Sequence, residues 1–249
     1  MSHIRATDLV VDFPIYDASQ RSLRKAFLSA ATGGAIKHEG QHRVIIRPLD
    51  RISFDFREGD RVGVVGHNGA GKTTLLRVLN GVYEPVGGSL DISGRLASLL
   101  DITNGFDPDA TGYENIVLRG LMMGVKPREI RPKMAEIAEF SGLGEYLDLP
   151  LRTYSSGMVL RLAFAVSTSV DADILLMDEW LSVGDAEFNE KASKRLNELI
   201  SKTAIIVIAS HDMAMLKRVC NRIIRLEHGR ISEDDQVLDH SLATDGIRF

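Results

Sequence analysis

Three stretches of the chain are apolar almost without interruption, and each ends at a glycine or at polar punctuation. Arg61 to Val65 (RVGVV) runs into a glycine. Residues 173–178 (DILLMD) end in a carboxylate, and Thr203 to Ala209 (TAIIVIA) end in Ser210-His211-Asp212. Short, β-branched and uninterrupted, they read as strands covered on both faces. Helix-period stretches lie between them. Leu75, Leu76 and Leu79 share one face of 74–80, and Phe188, Ala192, Leu196 and Ile200 share one face of 187–201. Strands alternating with helices predict parallel βαβ units. Elsewhere the period is two. Residues 4–13 (IRATDLVVDF) read as an edge strand. Residues 43–56 contain a strand and then a second, alternating one, with Ile52, Phe54 and Phe56 on one side. A short strand in SLDISG and a hairpin from Arg222 to Ile231, turning at Glu227-His228-Gly229, complete the β pattern.

From about Arg95 to Ser155 the texture changes to helix. Thr111-Gly-Tyr-Glu114 is a capping box opening a helix through Met123. Lys126-Pro127 starts another, to about Ser141, with Ile130, Met134, Ile137, Ala138 and Phe140 available for burial. This insertion of about 60 residues reads as a subdomain. A second insertion, Pro14 to Gln41, contains QRSLRKAFLSAA at 20–31. Leu23, Phe27 and Ala30 share one helical face there, and Arg21, Arg24 and Lys25 crowd the other. Two readings stay open: a surface helix packed on the domain, or contact with a membrane surface or acidic lipid head group. The tail after Ile231 is acidic and reads as short helix or coil.

Composition adds limits. The chain has 249 residues, 44% hydrophobic and 26% charged, as in an ordinary soluble globule. A net charge of −4 provides no basic field for nucleic acid. Cys220, the single cysteine, is expected in the core and excludes an internal disulfide. No apolar run is long enough to span a bilayer, and the start lacks a secretory signal's apolar core, so the expectation is the cytosol.

The chemistry enters at Gly66 to Thr74 (GHNGAGKTT), between strand and helix. Gly66, Gly71, Lys72 and Thr73 fit the phosphate-loop pattern G-x-x-x-x-G-K-[ST]. Glycines let the backbone wrap an anion without Cβ clashes, while loop amides and the helix start offer N–H groups. Gly66, His67, Asn68, Gly69, Ala70, Gly71, Lys72, Thr73 and Thr74 are therefore candidate nucleotide contacts. Lys72 faces the outer phosphates, and the Thr73 hydroxyl is a candidate Mg²⁺ ligand. Asp178 ends an apolar strand and would hold Mg²⁺, and Glu179 beside it would polarise the attacking water.

Tyr154-Ser155-Ser156-Gly157-Met158 opens a further helix. It resembles the signature motif of ATP-binding cassette proteins, in the right order between the helical insertion and the carboxylate strand. Ser182-Val183-Gly184-Asp185 resembles the D-loop of that family, and His211 resembles its switch histidine, implying contact with the γ-phosphate. TYSSGM, MDEWLSVGDAEF and GFDPDATGYENI are similar to ATPase subunits of bacterial polysaccharide exporters, those for O-antigen, capsule and teichoic acid. The resemblance covers roughly residues 4–231.

It implies an α/β, P-loop cassette with an antiparallel β subdomain and a helical subdomain. The segments are 1–94, the β edge and start of the core; 95–157, helical; 158–231, the rest of the core; and 232–249, a tail. It further implies ATP and Mg²⁺, and an ATP-dependent homodimer in which Ser155, Ser156, Gly157 and Asp185 of one copy face the phosphate loop of the other. A membrane permease and a lipid-linked glycan follow as partner and cargo, with the chain peripheral on the inner face of the cell membrane. Two functional residues stay open. The usual Q-loop glutamine is absent, with Asp101 the nearest polar candidate, and either Phe13 or Tyr16 would stack on adenine. The alternatives are a cassette for another transporter or a soluble cassette.

Overall fold

The computed structural model describes residues 1–15, 35–39, 43–179 and 186–236. Tyr16, the basic stretch at 20–31, the Ser182–Asp185 loop and the tail beyond 236 lie outside the described residues. Two compact units form. One takes the described residues within 1–94, 176–179 and 204–242, and the other those within 95–175 and 180–203.

The first unit holds two sheets. The antiparallel one comprises β1 (His3–Ile15), β2 (Ala35–Glu39), β3 (Arg43–Arg57) and β5 (Gly87–Ser93), in the order β2-β3-β1-β5. β1 is therefore not the edge strand expected. It pairs with β3 on one side and β5 on the other, partners that lie far along the chain and that a local alternation cannot report. The two strands expected within 43–56 are one continuous β3. Its register with β1 slips between Val11↔Leu49 and Phe13↔Ile46, so one extra residue bulges beside Pro48. Proline lacks the N–H that a regular ladder needs, so the strand bulges there instead of ending. On the core side Ile52, Phe54 and Phe56 are buried, and the rings of Phe54 and Phe56 stack 4.3 Å apart.

The second sheet of this unit is mostly parallel. β4 (Arg61–Val65) lies between β8 (Ile205–Ala209) and β9 (Arg222–Glu227), parallel to both. β7 (Ile174–Asp178) contributes Leu176 to Asp178 beyond β8, and β10 (Arg230–Gln236) pairs antiparallel with β9. Val62, Val64, Val65 and all of β8 are buried, as their unbroken hydrophobicity requires. The helices α1 (Lys72–Leu79) and α7 (Met213–Val219) belong to this unit, and α1 buries Leu75, Leu76, Val78 and Leu79. Cys220 is buried as expected, and burial pushes its thiol pKa up to about 12. The tail begins as strand rather than coil or helix through Gln236. Arg222 donates to Asp234 at 2.7 Å and Arg225 to Glu233 at 2.6 Å, so cross-strand ion pairs hold its acidic residues on β9.

The second unit carries β6 (Leu96–Ser98), α2 (Gly112–Met122), α3 (Pro127–Ile130), α4 (Met134–Ser141), α5 (Ser156–Ser167) and α6 (Ala186–Lys202). The capping box forms, with the Thr111 hydroxyl accepting from Glu114 N at 3.2 Å and Glu114 accepting from Thr111 N at 2.8 Å. The single helix expected from Pro127 to Ser141 is broken by a 3₁₀ turn at Arg131–Lys133. Pro132 has no N–H for an α-helical bond, which ends α3. Ile116, Ile130, Ile137, Leu147 and Leu162 nonetheless meet in one buried cluster. The compact unit thus runs on past residue 157 through α5, whose Leu162, Ala165 and Val166 complete that cluster. It also takes in α6, where Phe188 meets Phe140 edge-on at 5.5 Å. Among the described residues, no helix is long and apolar enough to cross a membrane.

Candidate nucleotide-binding site

The loop after β4 has a backbone that only glycine tolerates at its ends. Gly66 has φ 154°, and a Cβ there would lie 2.3 Å from the Leu226 carbonyl oxygen. Gly71 has φ 112°, and a Cβ there would lie 2.5 Å from the Pro48 carbonyl oxygen. Gly71 is also the N-cap of α1, and among the described residues no side chain caps the helix. Its first N–H groups are thus left without a capping side chain, beside the positive end of the helix dipole. This is an anion cradle built before any anion arrives.

Lys72 spans it. Its Nζ donates to Gly66 O at 2.7 Å and His67 O at 3.2 Å. Burial holds the ammonium pKa below its ordinary 10.5, partly offset by the charges of Asp178 and Glu179. An incoming phosphate would replace these two carbonyls and restore the solvation that the cation has lost. Thr73 Oγ1 donates to Asp178 Oδ2 at 2.7 Å. A hydroxyl and a carboxylate converging beside an anion cradle are hard oxygen donors, a set that suits magnesium rather than a soft metal.

Glu179 has φ 62°, strained for a residue with a side chain, and its N–H donates to Ala209 O at 2.7 Å. The bond ties the end of β7 to β8 and turns the carboxylate toward His211, whose Nε2 lies 3.7 Å from Glu179 Oε1. Both side chains stay more than half exposed. His211 itself follows β8, just before Asp212 caps α7 by accepting from Met215 N at 2.9 Å.

These groups line one cavity of about 610 Å³, ample for a nucleotide. Its polar wall holds Asn68, Gly69, Gly71, Lys72, Thr73, Thr74, Asp178, Glu179 and His211. Its apolar wall is Phe13, Ile46 and Pro48. Phe13 is braced edge-on by Tyr83 at 4.9 Å. Of the expected contacts, Gly66, His67 and Ala70 shape the loop without lining the cavity. Ala70 is buried and the His67 ring lies 5.1 Å from His228. Ile46, Pro48 and Tyr83 escaped sequence reasoning, and a proline inside an alternating strand was the available signal for the bulge.

Of the candidates not yet placed, Ser155, Ser156, Gly157 and Asp101 fall in the second unit. Ser155 caps α5, its Oγ accepting from Met158 N at 3.2 Å, and Ser156 and Gly157 form the first turn. Asp101 is exposed in a turn closed by Asn104 N donating to Asp101 O at 2.9 Å.

A parallel βαβ core with this loop defines a P-loop nucleotide-binding protein. The ABC transporter family model matches residues 49–182, and the chain belongs to that family. It is an ATPase of the ABC type. Among its relatives is the O-antigen export system ATP-binding protein RfbE of Yersinia enterocolitica, 45% identical over 94% of this chain and 98% of that protein. The corresponding RfbB of Klebsiella pneumoniae is 42% identical over 74% of this chain and 75% of its own length. The teichoic acids export ATP-binding protein TagH of Listeria innocua is 43% identical over 74% of this chain and 55% of its own length. At the level of fold, the chain resembles a dimeric ATP-binding cassette solved with ADP and phosphate. The TM-score is 0.67 at 19% identity, covering 95% of this chain and 99% of that one.

Proposed function

We propose that this chain is the ATP-hydrolysing subunit of an exporter that moves a lipid-linked, O-antigen-like polysaccharide across the cytoplasmic membrane. The observation that carries the reading is the 45% identity with an O-antigen export ATPase, which runs nearly end to end in both chains. The partner is a membrane-spanning permease, and the chain acts from the cytoplasmic face. The likeness to a teichoic acid export protein favours a second cargo of the same kind, another lipid-linked glycan polymer.

In this reading the adenine rests on Phe13, and the phosphates lie in the loop from Gly66 to Thr74 with Lys72 on the outer oxygens. Thr73 and Asp178 would hold a magnesium ion, which supplies positive charge to the phosphate oxygens. Glu179 orients a water and takes its proton as the water oxygen bonds to the γ-phosphorus and the bond to the β–γ bridging oxygen breaks. His211 contacts the γ-phosphate. A second copy presents Ser155, Ser156 and Gly157 to the same nucleotide, so that ATP holds a homodimer together. Asp185 belongs to that contact and Asp101 to the loop in place of the usual glutamine. The basic stretch at 20–31 is the segment proposed to meet the membrane surface.

The test is reconstitution. Vesicles carrying the permease and this ATPase should translocate polyprenyl-pyrophosphate-linked glycan on addition of ATP. If purified O-antigen lipid neither stimulates hydrolysis nor crosses, while a different lipid or solute does, the cargo assignment fails. Replacing Arg21, Arg24 and Lys25 by alanine should lower export without touching hydrolysis in detergent. Unchanged export would remove the membrane-contact role.

A further inference from the structure

A chain of ion pairs runs behind the nucleotide cavity, and none of its members lines it. Arg47 donates to Asp12 through Nε at 2.6 Å and Nη2 at 2.7 Å. Its Nη1 donates to Asp50 Oδ1 at 3.3 Å. On the other side of Asp50, Arg230 donates to Oδ2 through Nη2 at 2.7 Å and Nε at 3.2 Å. Asp50 is 5% exposed, so this carboxylate is shared between two guanidiniums with little help from water.

The elements it joins both belong to the site. Asp12 and Arg47 are the immediate neighbours of Phe13 and of Ile46 and Pro48, the apolar wall. Arg230 follows the β9–β10 turn. Asp50 N donates to Gly229 O at 2.8 Å, and Gly229 N donates to Ala70 O, inside the phosphate loop, at 3.1 Å. Between the two halves sits the Pro48 carbonyl. A Cβ would approach it to 2.6 Å from Gly229 and 2.5 Å from Gly71, so the turn, the bulge and the loop are in contact at their closest.

An ion cluster around a buried carboxylate is a poor source of net stability, because desolvation of that carboxylate offsets most of the attraction. What it fixes well is geometry. We propose that Asp50, clamped between Arg47 and Arg230, is a positioning residue that holds the base wall of the cavity in register with the phosphate loop. This rests on the nucleotide-site reading above. Its consequence is a chelate effect: base and triphosphate bind as one ligand only while the two walls keep their spacing.

The experiment compares ATP with inorganic tripolyphosphate, which lacks the base, by calorimetry on the full chain. Arg230→Ala carries the test, because the Arg230 side chain is 70% exposed and its removal should leave folding intact, as a melting curve checks. ATP affinity should fall about tenfold while tripolyphosphate affinity stays within about twofold. Michaelis–Menten kinetics should show KM raised and kcat within about twofold of wild type. Arg230→Lys should recover most of the loss, and Asp50→Asn should reproduce it. In a Phe13→Ala background Arg230→Ala should add nothing, since the wall it positions is already gone. Unchanged ATP affinity, or a parallel loss for both ligands, would overturn the proposal, the second outcome meaning general loosening. Lys72→Ala separates the two readings. It should weaken both ligands, and if it weakens neither, the nucleotide-site reading itself fails, whatever Arg230→Ala does.

Discussion

Replacing Gly71 by alanine is the sharpest probe of the site. Two costs add. At φ 112° and ψ 2° an L side chain is strained by about 1–2 kcal/mol. The new methyl would also sit 2.5 Å from Pro48 O and 3.0 Å from Leu49 Cδ2. The first contact is with backbone in a bulge held by Asp50 and Gly229, so it cannot swing away. Overpacking of that kind costs about 1–3 kcal/mol. The sum, about 2–5 kcal/mol, should lower the melting temperature by roughly 10 °C in a chain of this size. Gly81→Ala is the control. Its φ is 74°, but among the described residues nothing lies within 4 Å of the added methyl, so only the backbone strain remains. That variant should lose about 2–8 °C and bind ATP normally. Gly71→Ala should also lose at least about tenfold in ATP affinity, because either the loop or the bulge must move. Calorimetric melting and titration with ATP read both quantities. If Gly71→Ala melts with Gly81→Ala and binds ATP as the wild type does, the close approach of loop and bulge is not real.

Three further outcomes are expected. Lys72→Ala should weaken ATP binding by about 30-fold or more, the scale for losing a desolvated charge contact. Unchanged affinity by titration would remove its role. Glu179→Gln should bind ATP and form the dimer in light scattering, yet hydrolyse about 10²–10⁴ times more slowly. Rapid turnover would exclude it as the base. Glu114 accepts the Thr111 N–H and hydroxyl, which hold its carboxyl below the ordinary 4.5. A lowered folded-state pKa stabilises the protein above 4.5 and is lost as pH falls through the folded value. Glu114→Gln should therefore flatten the acid limb of a stability-against-pH curve. An unaltered limb would mean the capping box contributes no pH dependence.

Much of the site was legible because its chemistry is local. The loop from Gly66 to Thr74 needs its strand before and its helix after, all between Arg61 and Leu79, and periodicity shows both. Asp178 and Glu179 announce themselves at the end of a strand, and the Thr111 capping box is a four-residue device. What stayed hidden is set by distant partners. That β1 is an inner strand depends on β5, about 80 residues away. The break at Pro132 was visible in principle, but the continuing apolar period masked it, since Ile130 and Ile137 reach the same cluster across the 3₁₀ turn. The tail becomes strand because Arg222 and Arg225 attract its acids, which composition alone reads as solvated coil.

By itself the sequence determined the kind of chemistry: glycines where backbone must wrap an anion, one lysine, one hydroxyl, and carboxylates at strand ends. Each is dictated by covalent geometry and short-range hydrogen bonding, which act over a few residues. Tertiary structure alone decided which groups share one cavity. It brought Thr73 within 2.7 Å of Asp178 across 105 positions. It also set the Pro48 carbonyl against both Gly71 and Gly229. Such contacts come from strand order and from a bulge in the register, which reflect the packing of whole sheets and which no local pattern encodes.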